Sequence, residues 1–286
     1  MSVNSQNFTA SGPVSLDVQN NAGSIRLTAA DTDTIEVEVR PGTNKQRDED
    51  ACRDTEISFD ERRSVLVVHA PKQILGRGSN LHMTITVPTR STVRAHAGSA
   101  DITGTGLFGG VDGACGSGDV RFDDVEGEAE FKSGSGDIRF GAVTGNATAK
   151  NGSGNIDIGT VSGNADVNSA SGNVSVASAV KLKIGTASGN IQAGTVTGPA
   201  SANSASGDID IRSVAGDTRA KAVSGDVQIG IAPGVVAKLD GSSVSGRVSS
   251  SLEVDDSAPV DAGARPISVH VSTVSGDISI DRAGSR

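Results

Sequence analysis

The chain has 286 residues, a formal net charge of −9 and 37 glycines, and it lacks tryptophan and tyrosine. This acidic balance, without any run of Lys or Arg, disfavours a nucleic-acid partner and extended binding to an anionic membrane, since both favour a basic surface. No apolar segment approaches the roughly 20 residues that a membrane-spanning helix needs, so we expect no membrane span.

The beginning of the chain and its cysteines bear on the compartment. Residues 1–10 contain neither a basic segment nor an apolar one, so they do not resemble a secretion signal. Cys52 and Cys115 are the two cysteines and are far apart in sequence, which is not typical of a secreted disulfide framework. We therefore expect two reduced thiols and a cytoplasmic location.

Residues 12–95 predict an irregular β region. Short stretches alternate apolar with polar residues and are separated by Gly, Pro, Asn and Asp, as is typical of strands and turns. Residues 21–27 resemble a degenerate copy of the repeat described below, while residues 44–56 and 77–80 are interpreted as loops, the first of them solvated. Such atypical material at the head of a repeat array usually covers the open edge of its first coil.

One phrase, Ser-Gly-Asp/Asn-Val/Ile, returns at a fixed interval from Gly116 to Gly230. Its glycines are separated by steps of 18, 18, 18, 17, 18 and 18 residues and lie at positions 118, 136, 154, 172, 189, 207 and 225. A weaker Val-x-Gly phrase lies midway, as at Gly127 and Gly145. So strict a period indicates a solenoid, and its halving predicts two nine-residue strand–turn units in each coil.

Stacked coils of this kind predict columns of core residues. One predicted column is β-branched throughout: Val120, Ile138, Ile156, Val174, Ile191, Ile209 and Val227. A second column on the same strands comprises Phe122, Phe140, Ile158, Val176, Ala193, Ile211 and Ile229. The facing strand supplies smaller residues, namely Ala129, Ala147, Ala165, Leu182, Ala200 and Thr218. Each coil would bury its apolar face only against its neighbours.

The repeat loosens after Gly230. Residues 252–266 form an acidic, proline-containing stretch, and a last full phrase follows at residues 275–280. No segment shows a helical period, so the predicted class is all-β: a parallel β-solenoid with 18-residue coils, an irregular N-terminal cap and a looser C-terminal cap. The corresponding segments are residues 1–97, 98–230 and 231–286.

The repeated phrase, the opening Asn-Ala-Gly-Ser-Ile-Arg-Leu and the ending Val-Ser-Thr-Val-Ser-Gly-Asp-Ile resemble a bacterial β-strand-repeat family of unknown function labelled "putative adhesin". The opening and ending are similar to those of its soluble actinobacterial members, and the resemblance covers nearly the whole chain. It implies a β-solenoid fold, and it brings no catalytic or ligand residues to carry over.

The turn positions after the repeated glycines are all acidic or amide: Asp119, Asp137, Asn155, Asn173, Asn190, Asp208 and Asp226. Glycine–aspartate repeats can bind Ca²⁺ between coils, and hard cations want several oxygen ligands. Three of these seven positions are uncharged Asn, however, which favours a structural role in capping the turn within each coil. We predict no metal site here.

Other candidate groups are scattered. The serines of the phrase (positions 117, 135, 153, 171, 188, 206 and 224) form a column beside the turns, and no histidine is placed by sequence to activate any of them. Of the four histidines, His69, His82, His96 and His270, we expect His82 and His270 to face outward on strands. We assign no catalytic, cofactor-binding or metal-binding residue.

Two functional hypotheses remain. The first, which we favour, is a non-catalytic intracellular scaffold or binding protein, adhesin-like by resemblance, whose partner is another protein or a second copy of itself. The second is a polysaccharide-binding or polysaccharide-cleaving β-helix, using paired acids such as Asp123 and Asp124. Three or more acids on one outer face, beside a groove formed by residues 77–80 and 255–266, would favour the second hypothesis; a calcium-stabilised repeat protein is a further alternative.

Overall fold

The computed structural model describes residues 3–72, 79–252 and 266–284 of the chain. Within these ranges it contains 25 β-strands and one short helix. The fold is a nearly all-β parallel solenoid, as predicted. The chain forms two compact units, Met1–Ser153 and Gly154–Arg286, called unit 1 and unit 2 below.

Unit 1 contains the helix and the first twelve strands. The helix α1 spans Gln46–Arg53. The strands before the regular repeat are β1 Asn4–Thr9, β2 Ser15–Ala30, β3 Thr34–Pro41, β4 Glu56–Asp60, β5 Val65–His69 and β6 Asn80–Pro88. Those that follow are β7 Thr92–Phe108, β8 Gly110–Ser117, β9 Val120–Val125, β10 Ala129–Ser135, β11 Ile138–Val143 and β12 Ala147–Ser153.

The irregular β region is built around the long strand β2. Its first half pairs in parallel with β5 and its second half with β6, while β7 runs parallel along the other edge of both halves. Strand β3 joins β1 to β6 by antiparallel pairing, and β4 is antiparallel to β5. Ile25 lies opposite Ile102 of the first regular coil, which confirms residues 21–27 as a degenerate copy of the repeat.

The prediction of a solvated loop at residues 44–56 was wrong, because α1 lies within it. Asp48, Ala51 and Cys52 are buried on one side of the helix. The Asp48 carboxylate accepts hydrogen bonds from the Thr43 hydroxyl and, at 3.0 Å, from the backbone N–H of Asn80. These tertiary contacts stabilise a helix in a short, highly charged segment whose composition does not predict one.

The regular coils of unit 1 pack aromatic rings against glycines. Phe122 contacts Phe108 edge-to-face with ring centroids 5.5 Å apart, and it also lies beside Phe131 and Phe140. Gly104 pairs with Phe122 across neighbouring strands, and a Cβ at Gly104 would lie 2.2 Å from the ring. Because Gly104 has no side chain, the Phe122 ring can occupy the space beside it.

Unit 2 contains the remaining strands. Those with the regular repeat are β13 Ile156–Val161, β14 Asn164–Ser171, β15 Val174–Ala179, β16 Lys181–Ser188, β17 Ile191–Val196, β18 Ala200–Ser206, β19 Ile209–Val214, β20 Thr218–Ser224 and β21 Val227–Ile231. The last four strands are β22 Ala237–Ser245, β23 Val248–Ser250, β24 Ile267–Ser275 and β25 Ile278–Arg282.

The predicted columns are present in unit 2. Ile156 pairs with Val174, Val174 with Ile191, and Ile191 with Ile209, each in parallel register. All four side chains are at most 1% exposed. The facing strands β14, β16, β18 and β20 pair in the same order, so each coil consists of one strand from either set.

The last strands of unit 2 do not stack in chain order. Strands β24 and β25 pair with β20 and β21, whereas β22 and β23 pair with the opposite edges of β24 and β25. Strands β24 and β25, which come last in the sequence, thus lie between β20 and β21 on one side and β22 and β23 on the other. Most of the acidic stretch interpreted as part of the C-terminal cap, residues 253–265, lies outside the described residues.

The repeated glycines are required at the tight turns. Gly189 has a φ of +136°, and a Cβ there would lie 2.2 Å from the carbonyl oxygen of Gly172 in the preceding coil. Both the backbone conformation and the close approach of the coils exclude a side chain. The turn glycine thereby sets how tightly the coils of unit 2 stack.

Candidate functional site

The acidic and amide turn residues form a ladder between coils. The backbone N–H of Asp137 donates to Oδ1 of Asp119 at 2.9 Å, and Asp119 donates in the same way to Asp101 at 3.0 Å. The same bond, 2.7–3.0 Å long, continues through unit 2, where each backbone N–H donates to the side-chain oxygen of the preceding member of the series. In stacking order the members are Asn155, Asn173, Asn190, Asp208, Asp226, Asp277 and Arg247. We call this series the turn ladder.

The ladder modifies the predicted turn chemistry. An Asx turn would place the hydrogen bond within one coil, whereas these side chains accept from the equivalent residue one coil further on. Asn and Asp serve equally, since both offer a side-chain oxygen. In the described part of the chain, no group of three or more His, Cys, Asp or Glu side chains is placed to hold a metal ion. The absence of a calcium site stays a prediction.

The structure brings one serine and one histidine together that the sequence analysis did not connect. Ser24 Oγ lies 2.8 Å from His82 Nδ1, although neither belongs to the regular repeat. Ser24 is only 9% exposed, so its hydroxyl is shielded from a substrate while the ring of His82 faces outward. The pair fits a structural hydrogen bond between neighbouring strands better than an activated nucleophile.

Two other histidines pair with carboxylates. His69 Nε2 lies 3.0 Å from Asp17 Oδ1, and His270 Nδ1 lies 3.0 Å from Asp240 Oδ2. His270 faces outward, as predicted, and joins β24 to the outermost strand β22. The His270 pair is exposed and the His69 pair is half-buried, and exposed pairs contribute little to stability unless they act with other charges.

An acidic cleft of about 670 Å³ lies on the outer face of unit 1, among β2, β5, β7, β8 and β10. Four carboxylates line it, those of Asp17, Asp112, Glu128 and Glu130. The cleft thus meets the condition of three acids on one face. The groove that we anticipated at residues 77–80 and 255–266 falls largely outside the described residues, which exclude residues 73–78 and 253–265.

Each carboxylate of the cleft already has a polar partner. Asp112 accepts from Arg94 at 3.3 Å, and Glu128 accepts from the Asn146 amide at 3.2 Å. Glu130 lies 3.0 Å from Lys132, and this hydrogen bond raises the pKa of the Lys132 ammonium. Carboxylates that are already hydrogen-bonded in this way suit binding of a polar ligand more than proton transfer.

The cysteines are structural. Cys52 and Cys115 are 0% and 4% exposed, and burial raises the pKa of both thiols. Cys115 Sγ donates to the carbonyl of Ala100 at 3.5 Å. The equivalent inward position in other coils holds Asn151, Ser204 or Thr273, which donate to the carbonyls of turn glycines, or Ser133, which donates to the carbonyl of Ser135. This column was not predicted from the sequence, although polar residues recurring at one repeat position could have indicated it.

A ridge of exposed apolar side chains runs along one edge of unit 2. It begins with alanines and ends with valines, in the order Ala170, Ala187, Ala205, Val223, Val274 and Val244. Val223, Val274 and Val244 are 55%, 50% and 82% exposed. The ridge borders an open groove of about 590 Å³ whose outward positions include Gly185 and Asn203. We call this feature the apolar ridge.

Two further observations concern the aromatic side chains and the helix content. All six phenylalanines are buried or half-buried, so none offers an exposed ring on which a sugar could stack. Among the described residues, no helix is both long enough and apolar enough to span a bilayer.

Comparison with solved structures gave similar chains over almost their full length. A "putative adhesin" from Bacteroides fragilis is 10% identical, with 98% of this chain and 97% of that chain covered and a TM-score of 0.43. A "putative cell adhesion protein" from Clostridium sporogenes is 11% identical, with 98% and 100% covered and a TM-score of 0.33. A "putative lipid binding protein" from Parabacteroides distasonis is 12% identical, with 97% and 96% covered and a TM-score of 0.35.

No curated protein matches the sequence. The model of one family, described as Toastrack DUF4097, matches residues 14–281. The match covers nearly the whole chain, including both units and all the coils. The chain therefore belongs to the Toastrack DUF4097 family.

Proposed function

We propose that this protein is a non-catalytic β-solenoid scaffold that binds another protein chain through the C-terminal end of unit 2. The observation that carries the proposal is the position of the exposed apolar side chains. Of the seven large apolar residues that are exposed in the described part of the chain, five lie in or beside the last coils: Val223, Val236, Val244, Val248 and Val274. Apolar side chains gathered at one place mark an interaction surface, whereas scattered ones need no explanation.

The polar chemistry supports a binding role rather than catalysis. The turn-ladder oxygens accept backbone hydrogen bonds, and the carboxylates of the acidic cleft have partners. The Ser24 hydroxyl is buried against His82. A catalytic site needs a nucleophile or general acid that reaches a substrate, and these groups serve structural hydrogen bonds instead.

Site-specific photo-crosslinking in the producing cell tests the proposal. A photoreactive residue at Val274, which is 50% exposed on the apolar ridge, should crosslink to a protein chain. The same residue at Gln192, which is exposed on β17, is the matched control and should give no specific product. A chain that crosslinks at neither position would contradict the proposed function.

A second candidate function is the binding of a polysaccharide in the acidic cleft of unit 1. The observation that favours it is the set of four carboxylates beside Arg94, because mixed carboxylate and guanidinium groups hydrogen-bond well to sugar hydroxyls. Calorimetric titration with neutral and acidic polysaccharides tests it, with Asp112→Ala as the variant that should weaken binding. Equal heats for the variant and the wild type would exclude the cleft as the site.

We also propose that the protein is cytoplasmic. The support is that Cys52 and Cys115 are both thiols rather than disulfide partners, as is usual in a reducing compartment. Cell fractionation with an antibody against the chain tests this location. Recovery in the culture medium or on the cell surface would contradict it.

A further inference from the structure

The outermost described coil of unit 2 consists of β22 and β23. Each pairs on one side only, β22 with β24 and β23 with β25. Within residues 154–252 and 266–284, no strand pairs with their other edges. A strand edge of this kind presents unpaired backbone N–H and C=O groups, which can pair with another chain.

Within the described residues, the core of unit 2 ends at this coil. Val269 and Ile278 in the coil beneath are at most 1% exposed. Their neighbours one coil outward, Leu239 and Val248, are half-buried and 46% exposed. The two inward columns therefore continue into the last coil with apolar side chains that no further layer of described residues covers.

We propose that this end docks a second copy of the same chain, with β22 of one copy antiparallel to β22 of the other. This inference rests on the proposed function and identifies the bound protein as a second copy of the chain. Such an interface is related by a two-fold axis, so the same surface serves both copies. It would pair the open backbone edge and cover Leu239 and Val248 in a single step.

The charges of β22 are complementary to themselves. In the antiparallel register that places Leu239 opposite its counterpart, Lys238 lies opposite Asp240 of the second copy, and the reverse pair forms as well. Side chains alternate between the two faces of a strand, so this register keeps Leu239 inside and both charged residues outside. Lys238 and Asp240 are exposed, and Asp240 is already held by His270 at 3.0 Å. Opposite charges across a strand pair stabilise it.

The turn ladder favours a closed pair over an open filament. Its final donor is the backbone N–H of Arg247, which bonds Asp277 Oδ1 at 2.7 Å. Arg247 occupies the position that Asp or Asn holds in the other coils, and its guanidinium cannot accept a hydrogen bond. A further parallel coil would find no acceptor there. The end is thus unsuited to head-to-tail stacking but compatible with a two-fold contact.

Sedimentation velocity of the full chain from about 1 to 100 µM tests the inference through a charge swap. The wild type should show a monomer–dimer equilibrium. Lys238→Asp and Asp240→Lys should each raise the dissociation constant of the dimer by about tenfold, because each replaces two attractive pairs by two repulsive ones. The double variant Lys238→Asp/Asp240→Lys should restore the wild-type value. Circular dichroism of each variant verifies that the β fold is retained.

The outcomes separate this inference from the proposed function. A wild type that stays monomeric throughout the range shows that β22 and β23 only cap the solenoid, and it overturns the second-copy interface. So does a dimer whose dissociation constant neither single variant changes. If Val274 still crosslinks to a different protein, the binding function stands without the dimer. If Val274 crosslinks to no protein, the proposed function fails independently.

Discussion

The backbone N–H of Asp208 donates a hydrogen bond of 2.9 Å to the side-chain oxygen of Asn190, 18 residues earlier and one coil away. Because the acceptor is a side chain and the donor is backbone, each coil fixes the next at its turn. Asn and Asp at this repeat position are therefore equivalent acceptors, whatever their charge.

Replacing Asn190 tests the ladder. Asn190→Ala removes the acceptor for Asp208 and should lower the free energy of unfolding by about 0.5–1.5 kcal/mol, the usual net value of one hydrogen bond. Asn190→Asp keeps an acceptor oxygen and should cost clearly less. Urea denaturation measures both changes, and equal losses for the two variants would show that the hydrogen bond is not what this position contributes.

Calcium should not stabilise the protein. The turn oxygens that could ligate it accept backbone hydrogen bonds instead, as between Asp226 and Asp208. A ligand that binds only the native state at a hundredfold excess over its dissociation constant adds about 2.7 kcal/mol. We expect no change in Tm with millimolar Ca²⁺ or with chelator. A rise of several degrees with Ca²⁺, reversed by chelator, would restore the calcium-stabilised alternative.

The turn glycines should tolerate no side chain. Gly189→Ala places a Cβ 2.2 Å from the Gly172 carbonyl oxygen at a φ of +136°, and backbone strain alone costs about 1–3 kcal/mol. Gly185→Ala is the control, since the nearest atom to its Cβ, at 3.0 Å, belongs to the Asn168 side chain, which can move. Thermal unfolding of both variants provides the comparison, and similar melting temperatures would contradict the tight stacking of the coils.

The core column should be sensitive while its outward neighbour is not. Ile191 is 1% exposed between Val174 and Ile209, so Ile191→Ala should cost about 2–5 kcal/mol. Gln192 is exposed on the same strand, and Gln192→Ala should stay within about 0.5 kcal/mol of the wild type. Equal tolerance of both changes in a denaturant titration would show that the strand register is wrong.

Asp48 should make the helix sensitive to acid. Burial acts to raise the pKa of its carboxyl, but hydrogen bonds from Thr43 and Asn80, together with Arg47, outweigh it and hold the pKa below the ordinary value of 3.8. A carboxyl with a lowered folded-state pKa stabilises the fold above its unfolded pKa, and this contribution is lost as the pH falls through the folded one.

The corresponding measurement compares the wild type with Asp48→Asn. The variant should be less stable at pH 7, and the difference in free energy of unfolding should shrink as the pH falls below about 4. Thr160→Ala, at an exposed position on β13 opposite Ser178, is the control and should show no such pH dependence. A constant difference between pH 7 and pH 3 would contradict the role given to the ionised carboxylate.

The regular coils could be predicted from sequence because every coil repeats the same constraints. The column from Ile156 to Val227 and the turn glycines recur with the period, so each copy supports the interpretation of the others. The helix α1 was missed because an eight-residue charged segment has no such support; its anchor, the Asn80 N–H to Asp48, joins residues 32 apart. Ser24 and His82, 58 residues apart outside the regular repeat, were missed for the same reason.

The stacking order of the last coils could not be predicted either. The phrase at Gly276 is complete and the phrase at Gly246 has Arg247 in place of Asp or Asn, but one departure from the repeat does not by itself identify the outermost coil. The insertion of β24 between β20 and β22 depends on pairings across 51 and 30 residues, between Thr218 and Val269 and between Leu239 and Val269. The exposed edge that carries the proposed interface is a consequence of that order.

Hydrogen–deuterium exchange of the full chain at two concentrations tests the central claim most directly, because it reports on the edge of the last coil itself. The amides of residues 237–250 should exchange more slowly at about 100 µM than at about 1 µM as the second copy covers them. The amides of β1, another edge strand, should be unaffected and provide the internal reference. Exchange of residues 237–250 that is the same at both concentrations would contradict the claim that this end is the interface between copies.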